Sequence, residues 1–244
     1  MFRKKQTTTF PSIRIRAVDP WKPERDAEDE HLELSPSQRA ELARVAESIS
    51  FERKGAQIIA QGCSASHIFL LADGVAEAEH ILANGERHIV AFYWPGDLFG
   101  LTEGGIYVNA VKGLTACKVY RFPINVLEAF LLKNPMVQQS FLIKAVHDLR
   151  SGQRQLVAMG RFDILRRLAM FLSDCSRHDK FFDPSKQILS LPMSRYDIAD
   201  YLGTSAESIT RALAVMEDKS IIRRISHRLI EINQGRLSLL ASLD

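Results

Sequence analysis

The sequence predicts an α+β protein built from an N-terminal β-roll, one long helix and a C-terminal winged helix-turn-helix. Three observations predict it. Short apolar bursts separated by glycine fill the first half, apolar residues at spacings of three and four follow residue 134, and two capped helical segments joined by Gly203-Thr204 lie near residue 200. With 244 residues, 46% hydrophobic and 25% charged, the chain is long enough for one or two packed domains. A net charge of +3 permits nucleic-acid binding without arguing for it, so the placement of the charges carries the argument.

Residues 1–34 change charge sign, from Arg3, Lys4, Lys5, Arg14 and Arg16 to Asp26, Glu28, Asp29 and Glu30, and are expected to form a mobile extension. The first domain is expected over 35–130. Ser35-Pro36 opens a short helix there. Ile58-Ile59, Ile68 to Leu71, Ile89 to Phe92 and Val119 to Phe122 then alternate with Gly55, Gly62, Gly74, Gly85, Gly96, Gly100 and Gly113, the texture of a compact antiparallel roll.

Asn134-Pro135 reads as the N-cap and first residue of a long helix within 131–160, whose seam is Phe141, Ala145, Leu149, Gly152, Leu156 and Met159. A helix of about 25 residues runs about 38 Å, more than a small domain needs for its own packing, so the seam is expected to bind a second copy of the chain.

The last domain is expected over 161–244, opening on an amphipathic helix with Ile164, Leu165, Leu168, Ala169 and Leu172 and continuing through a loop at 179–185. Ser194 with Asp197 forms a capping box, Gly203 ends that helix, and Ser205 caps the next. Ile198, Ala199, Leu202, Ile209 and Leu213 then build a small core and leave Glu207, Ser208, Thr210 and Arg211 outside. Arg211 suits guanine O6 and N7, and Glu207, one turn earlier, suits cytosine N4. The same pair can instead close an i,i+4 salt bridge. Thr210 offers a base a hydroxyl and a methyl, while Ser194, Arg195, Ser205 and Ser208 suit phosphates or the edge of the site. Residues 221–232 read as a β-wing around Ser226-His227, with Arg224 and Arg228, beside Lys219 and Arg223, placed for phosphates.

Other classes are poorly supported. No Ser–His–Asp order, metal-ligand spacing or phosphate-cradling loop stands out, so neither an enzyme nor a metal site is expected. Cys63, Cys117 and Cys175 are far apart and odd in number, which gives no disulfide framework, and no run of about 18 apolar residues suits a membrane. A cytoplasmic protein is expected. Cys63 or Cys175 can sense oxidation where its surroundings lower its pKa.

Pro95-Gly96-Asp97-Leu98-Phe99-Gly100 in the roll, the helix opening Asn134-Pro135, and the stretch from Ser194 through Arg211 together resemble the CRP/FNR superfamily of bacterial transcription regulators. The resemblance covers about residues 35 to 235 in the same order of elements. It implies a cyclic-nucleotide-binding-like roll and a homodimer formed by the long helices. It further implies double-stranded DNA and RNA polymerase as partners, with activator as the expected class and activation versus repression left open by the residues. Glu207 followed by Thr210-Arg211 is similar to the Glu-x-x-Ser-Arg pattern of the FNR and FixK proteins, with Thr210 for the serine, and implies a palindromic TTGA-type site. Cyclic-AMP-binding members place Gly-Glu and Arg-Ser where this chain has Gly100-Leu101 and Tyr107-Val108, and their adenine-contacting polar pair aligns with Gly152-Gln153. Oxygen-sensing members carry an N-terminal cysteine cluster, whereas the first cysteine here is Cys63. No cofactor is therefore expected. The alternative is a ligand-gated sensor of the same fold that takes haem, through His67, His80, His88 or His147, or an unidentified small molecule, and binds DNA only with its effector.

Overall fold

The computed structural model describes residues 13–17 and 34–242. Helix α1 (Pro36–Val45) starts on a capping box in which Ser35 accepts from Gln38 N and the Gln38 side chain reaches back to Ser35 N. Eight strands follow: β1 (Glu47–Phe51), β2 (Gln57–Ile59), β3 (His67–Asp73), β4 (Ala76–Ile81), β5 (Arg87–Tyr93), β6 (Leu98–Phe99), β7 (Ala110–Gly113) and β8 (Cys117–Pro123). They pair antiparallel in two four-stranded sheets, β1-β8-β3-β6 and β2-β7-β4-β5. The sheets close over Ile59, Phe69, Leu71, Ala76, Ala78, Phe99, Val111 and Val119. Gly74, between β3 and β4, has φ +88°, and a Cβ there would lie 2.2 Å from the Ala116 carbonyl, so that turn requires glycine.

The expectation of a mobile extension fails for residues 13–17. Ile13, Ile15 and Ala17 are buried, Ile13 and Ile15 join Leu42, Leu70, Leu98 and Phe122 in one cluster, and Arg16 N donates to Gly96 O at 2.7 Å. The alternation Ile13-Arg14-Ile15-Arg16 is a strand-like period in which apolar residues bury one face, and the charges of the segment mask it. The rest of the expected extension lies outside the described residues.

Helix α2 (Ile124–Lys133) leads into α3 (Pro135–Arg161), which is 27 residues long. Asn134 precedes Pro135 as expected, yet its side chain makes no cap bond. Its Nδ2 donates to Phe130 O at 2.9 Å and its Oδ1 accepts from Gln38 at 3.3 Å, so Asn134 ties the end of α2 to α1 instead. The last third holds α4 (Ile164–Cys175), β9 (Phe182–Asp183), β10 (Ile188–Ser190), α5 (Arg195–Tyr201), α6 (Ala206–Asp218), β11 (Ile222–Arg224), β12 (Leu229–Ile232) and α7 (Gln234–Ala241). Its four strands form one sheet in the order β11-β12-β10-β9, and β9 falls inside the segment expected to be a loop.

The roll and the last third of the chain share a core. Val75, Trp94 and Leu114 of the roll lie in the same cluster as Leu168, Leu172, Ile198 and Leu213. Phe92 on β5 packs against Phe171 and Tyr201 with ring centroids 5.9 and 5.1 Å apart, and Trp94 stacks on His178 at 4.0 Å.

Candidate nucleic-acid interface

Helix α5 starts on the predicted box: Ser194 Oγ accepts from Asp197 N at 3.2 Å, and Asp197 Oδ2 accepts from Ser194 N at 2.8 Å. It ends at Leu202, followed by Gly203 at φ +63°, a left-handed conformation suited to glycine. Ser205 then caps α6 by accepting from Ser208 N at 3.1 Å. Ile198, Ala199, Leu202, Ile209 and Leu213 are buried between the two helices, while Glu207, Thr210 and Arg211 stand exposed and Ser208 is half-buried.

On that face Arg211 Nη1 donates to Glu207 Oε1 at 3.0 Å and Nη2 to Ser208 Oγ at 3.4 Å. Both alternatives weighed from the sequence thus concern one pair: an exposed ion pair of about 0.3–0.5 kcal/mol, which is cheap to exchange for a base edge. Thr210 Oγ1 donates to Ala206 O at 2.9 Å and accepts from Arg195 Nη1 at 3.1 Å, so Arg195 bridges the start of α5 to the face of α6. Tyr196, in the first turn of α5, is 76% exposed as well. Sequence reasoning passed over it because it lies between the box residues Ser194 and Asp197.

In the wing, β11 and β12 pair Ile222 with Ile232 and Arg224 with Ile230. Arg228 is exposed at the turn beside Ser226 and His227. Arg224 differs from expectation. It is half-buried, its Nε donates to Glu217 Oε2 at 2.7 Å and its backbone N to Glu217 Oε1 at 2.9 Å, so it ties the wing to α6 rather than standing free for a phosphate. Arg223 is held in the same way by Glu231, Nε to Oε2 at 2.9 Å.

The long helix carries an exposed apolar stripe of Leu142, Val146, Leu149 and Leu156, with Leu156 72% exposed, flanked by Ile143 and Val157. Ala145 and Gly152 are also exposed. Phe141, expected in the seam, is instead half-buried against the cluster of Leu127 and Phe130, so its ring packs into the chain's own core. Met159 sits at the edge of the stripe, its Cε 2.6 Å from where a Cβ on Gly203 would stand.

Inside the roll, Tyr93, Phe99 and Phe69 stack in sequence at 4.9 and 5.4 Å. The Tyr107 hydroxyl donates to His67 O at 2.8 Å and accepts from His67 N at 3.1 Å. His67 lies beside Ser66 Oγ at 2.8 Å, His80 beside Asn109 at 3.1 Å and His88 beside Asp200 at 3.1 Å, while His147 is half-buried on α3. Among the described residues no three His, Cys, Asp or Glu side chains gather as a metal site, and no helix is long and apolar enough to cross a membrane. Cys63 is exposed, but Cys175 is buried and that burial pushes its thiol pKa well above the usual value. Cys175 is therefore not a poised redox thiol, which corrects its candidacy.

A two-helix unit with an exposed polar face, a basic wing and a free helical stripe defines a DNA-binding transcription regulator. Family comparison agrees. The Crp-like helix-turn-helix domain matches residues 166–237 and the cyclic nucleotide-binding domain matches residues 51–134. The chain belongs to the CRP/FNR superfamily and is a FixK-like regulator. It is 27% identical to the transcriptional activatory protein AadR of Rhodopseudomonas palustris, over 86% of this chain and 87% of the relative. It is 29% identical to the nitrogen fixation regulation protein FixK of Rhizobium meliloti, over 84% of this chain and 89% of the relative. The solved structure of FixK2 from Bradyrhizobium japonicum superposes with a TM-score of 0.74 at 28% identity, covering 82% of this chain and 99% of that one.

Proposed function

We propose that the chain activates transcription as a homodimer on a palindromic TTGA-type site, with Arg211 and Glu207 reading one G·C pair and Thr210 a neighbouring base or methyl. The observation that carries this reading is the exposed Glu207–Thr210–Arg211 face, whose side-chain partners among the described residues are exchangeable at low cost. Ser194, Arg195, Tyr196, Ser205 and Ser208 line its rim, and Arg228 stands at the wing as a phosphate contact. The stripe Leu142–Val146–Leu149–Leu156 serves as the dimer seam, with Ala145, Gly152 and Met159 beside it. The name of AadR, a transcriptional activatory protein, supports activation; RNA polymerase as partner and a cytoplasmic location complete the same reading.

The roll residues do not fit a cyclic nucleotide. Tyr107 stands where cyclic-AMP-binding relatives place an arginine, and its hydroxyl is engaged by the backbone at His67, while a phosphate buried without a cation is costly. An iron–sulfur cluster finds no cysteine set, since Cys117 and Cys175 are buried apart from exposed Cys63.

The test is binding of purified, ligand-free protein to a TTGAT-N4-ATCAA duplex and to a TGTGA control at two salt concentrations, which separates the phosphate contribution. Selective binding is expected, and equal, salt-sensitive binding to both duplexes would refute the assigned site. The dimer is tested by Leu149→Glu, which buries a charge in the seam and is expected to halve the sedimentation mass.

A further inference from the structure

We propose that Arg87 and Gln155 are positioning residues for DNA recognition: they hold helix α5 at its two ends, from the roll and from the long helix, and so set the angle at which α6 meets DNA. This rests on the reading that α6 contacts bases.

Helix α5 has only seven residues, too few to hold its own position through internal hydrogen bonds. At its start, Asp197 is buried; one carboxylate oxygen closes the capping box and the other accepts from Arg87 Nη2 at 3.3 Å. One turn on, Asp200 faces Arg87 Nε at 3.8 Å and His88 Nδ1 at 3.1 Å. Arg87 is itself gripped by Glu77 at 3.5 Å and Glu79 at 3.3 Å on β4, so the roll, not solvent, fixes where its guanidinium lies. At the other end, the last carbonyls of a helix lack internal partners. Gln155 Nε2 of α3 donates to Tyr201 O at 3.1 Å, next to Leu202 O, which accepts from Arg167 at 2.8 Å.

These holds reach the reading face through a short path. The helices α5 and α6 share the core of Ile198, Leu202, Ile209 and Leu213, and Arg195 bonds Thr210 across the pair at 3.1 Å. Arg211 lies about 8 Å along α6, so a tilt of about 10° at the turn moves it by more than about 1 Å. A bidentate contact with guanine does not survive that displacement. Phosphate contacts, which tolerate it, are expected to remain.

The experiment uses the full chain. A duplex is first selected by the wild type from a random pool, then Arg87→Met and Gln155→Leu are measured on it and on a scrambled duplex of equal length, with dimer mass and melting temperature in parallel. Each variant is expected to lose selected over scrambled binding by about 10-fold, scrambled affinity staying within about 2-fold. Arg87→Lys, which keeps a cation beside Asp197 and Asp200, is expected to recover most of the loss. The double variant Arg87→Met/Asp200→Asn is expected to lose less than the sum of the two single variants, because the Arg87–Asp200 contact is common to both. Unchanged selectivity in Arg87→Met and Gln155→Leu overturns the proposal, and so does a parallel fall on both duplexes. If Arg87→Met does not fold, Asp200→Asn together with Gln155→Leu decides the matter: wild-type selectivity in both overturns it. A wild type that selects no duplex removes the base-reading role of α6 and this proposal with it, whereas selective wild type with equally selective variants removes only the positioning role.

Discussion

The outer face of α6 and the seat beneath α5 use the same side-chain chemistry in opposite surroundings. On α6, Glu207 and Arg211 meet in water with their side chains 76% and 68% exposed, and the pair can be traded for a base edge. Under α5, Glu77, Glu79 and Asp197 are buried around Arg87 and Lys112, and each partner is needed to keep a carboxylate out of solvent. The role of each ion pair here follows from its burial. The exposed pair can be exchanged at little cost, and the buried group is a structural joint between the roll and the DNA-binding part of the chain.

The largest effect tests the joint. Lys112→Met leaves fully buried Glu79 with Arg87 alone and is expected to destabilise the chain by about 3 kcal/mol, read as the shift of a urea unfolding midpoint. An unshifted midpoint would place these charges with the exposed pair. Next comes pH. Burial, reinforced by Asp197 and opposed by Arg87, pushes the Glu77 carboxyl up to about 7 from 4.5. The folded chain therefore holds a proton that the unfolded chain releases. The benefit is complete below about pH 4.5 and is lost as pH rises through 7, about 3 kcal/mol in all. Glu77→Gln should remove this slope, measured by unfolding between pH 5 and pH 8 against the wild type.

On the exposed face, Arg211→Ala should cost about 1–3 kcal/mol on the cognate duplex and relax preference at one G·C pair, while the unfolding midpoint stays in place. A stability loss there would blur the distinction between the two regions. The smallest effect belongs to the wing. Arg228→Ala should lower the salt slope of binding by about one ion and weaken all duplexes alike, whereas Arg224→Ala, held by Glu217, should change that slope less. Equal slopes in the two variants would mean that Arg224 leaves Glu217 for a phosphate on the DNA.

The two-helix unit and its exposed face were legible in the sequence because their signals are local. Ser194 and Asp197 lie three residues apart, Ser205 caps the next helix, and the buried residues of α6 recur at helical spacing. The joint was illegible because its partners are distant. The run Ala76-Glu77-Ala78-Glu79 suggests a helix more than a strand, and only β5, β7 and α5, brought in by the fold, supply the cations and acids that make its burial possible. The long helix was legible to within one position. Its stripe includes Leu142 and Val146 because α2 draws Phe141 inward, a contact no spacing rule contains. Ile13 and Ile15 were hidden by the arginines beside them.

The shared cluster that joins Val75, Trp94 and Leu114 to the DNA-binding half has a consequence for engineering. This chain is not two interchangeable modules on a tether. Grafting a relative's helix-turn-helix onto this roll would expose Phe92 and Trp94 unless the graft also supplied rings at the places of Phe171, His178 and Tyr201. Chimeras cut at residue 162 should therefore be poorly soluble, and those that transplant the β5 face together with the reading helices should not.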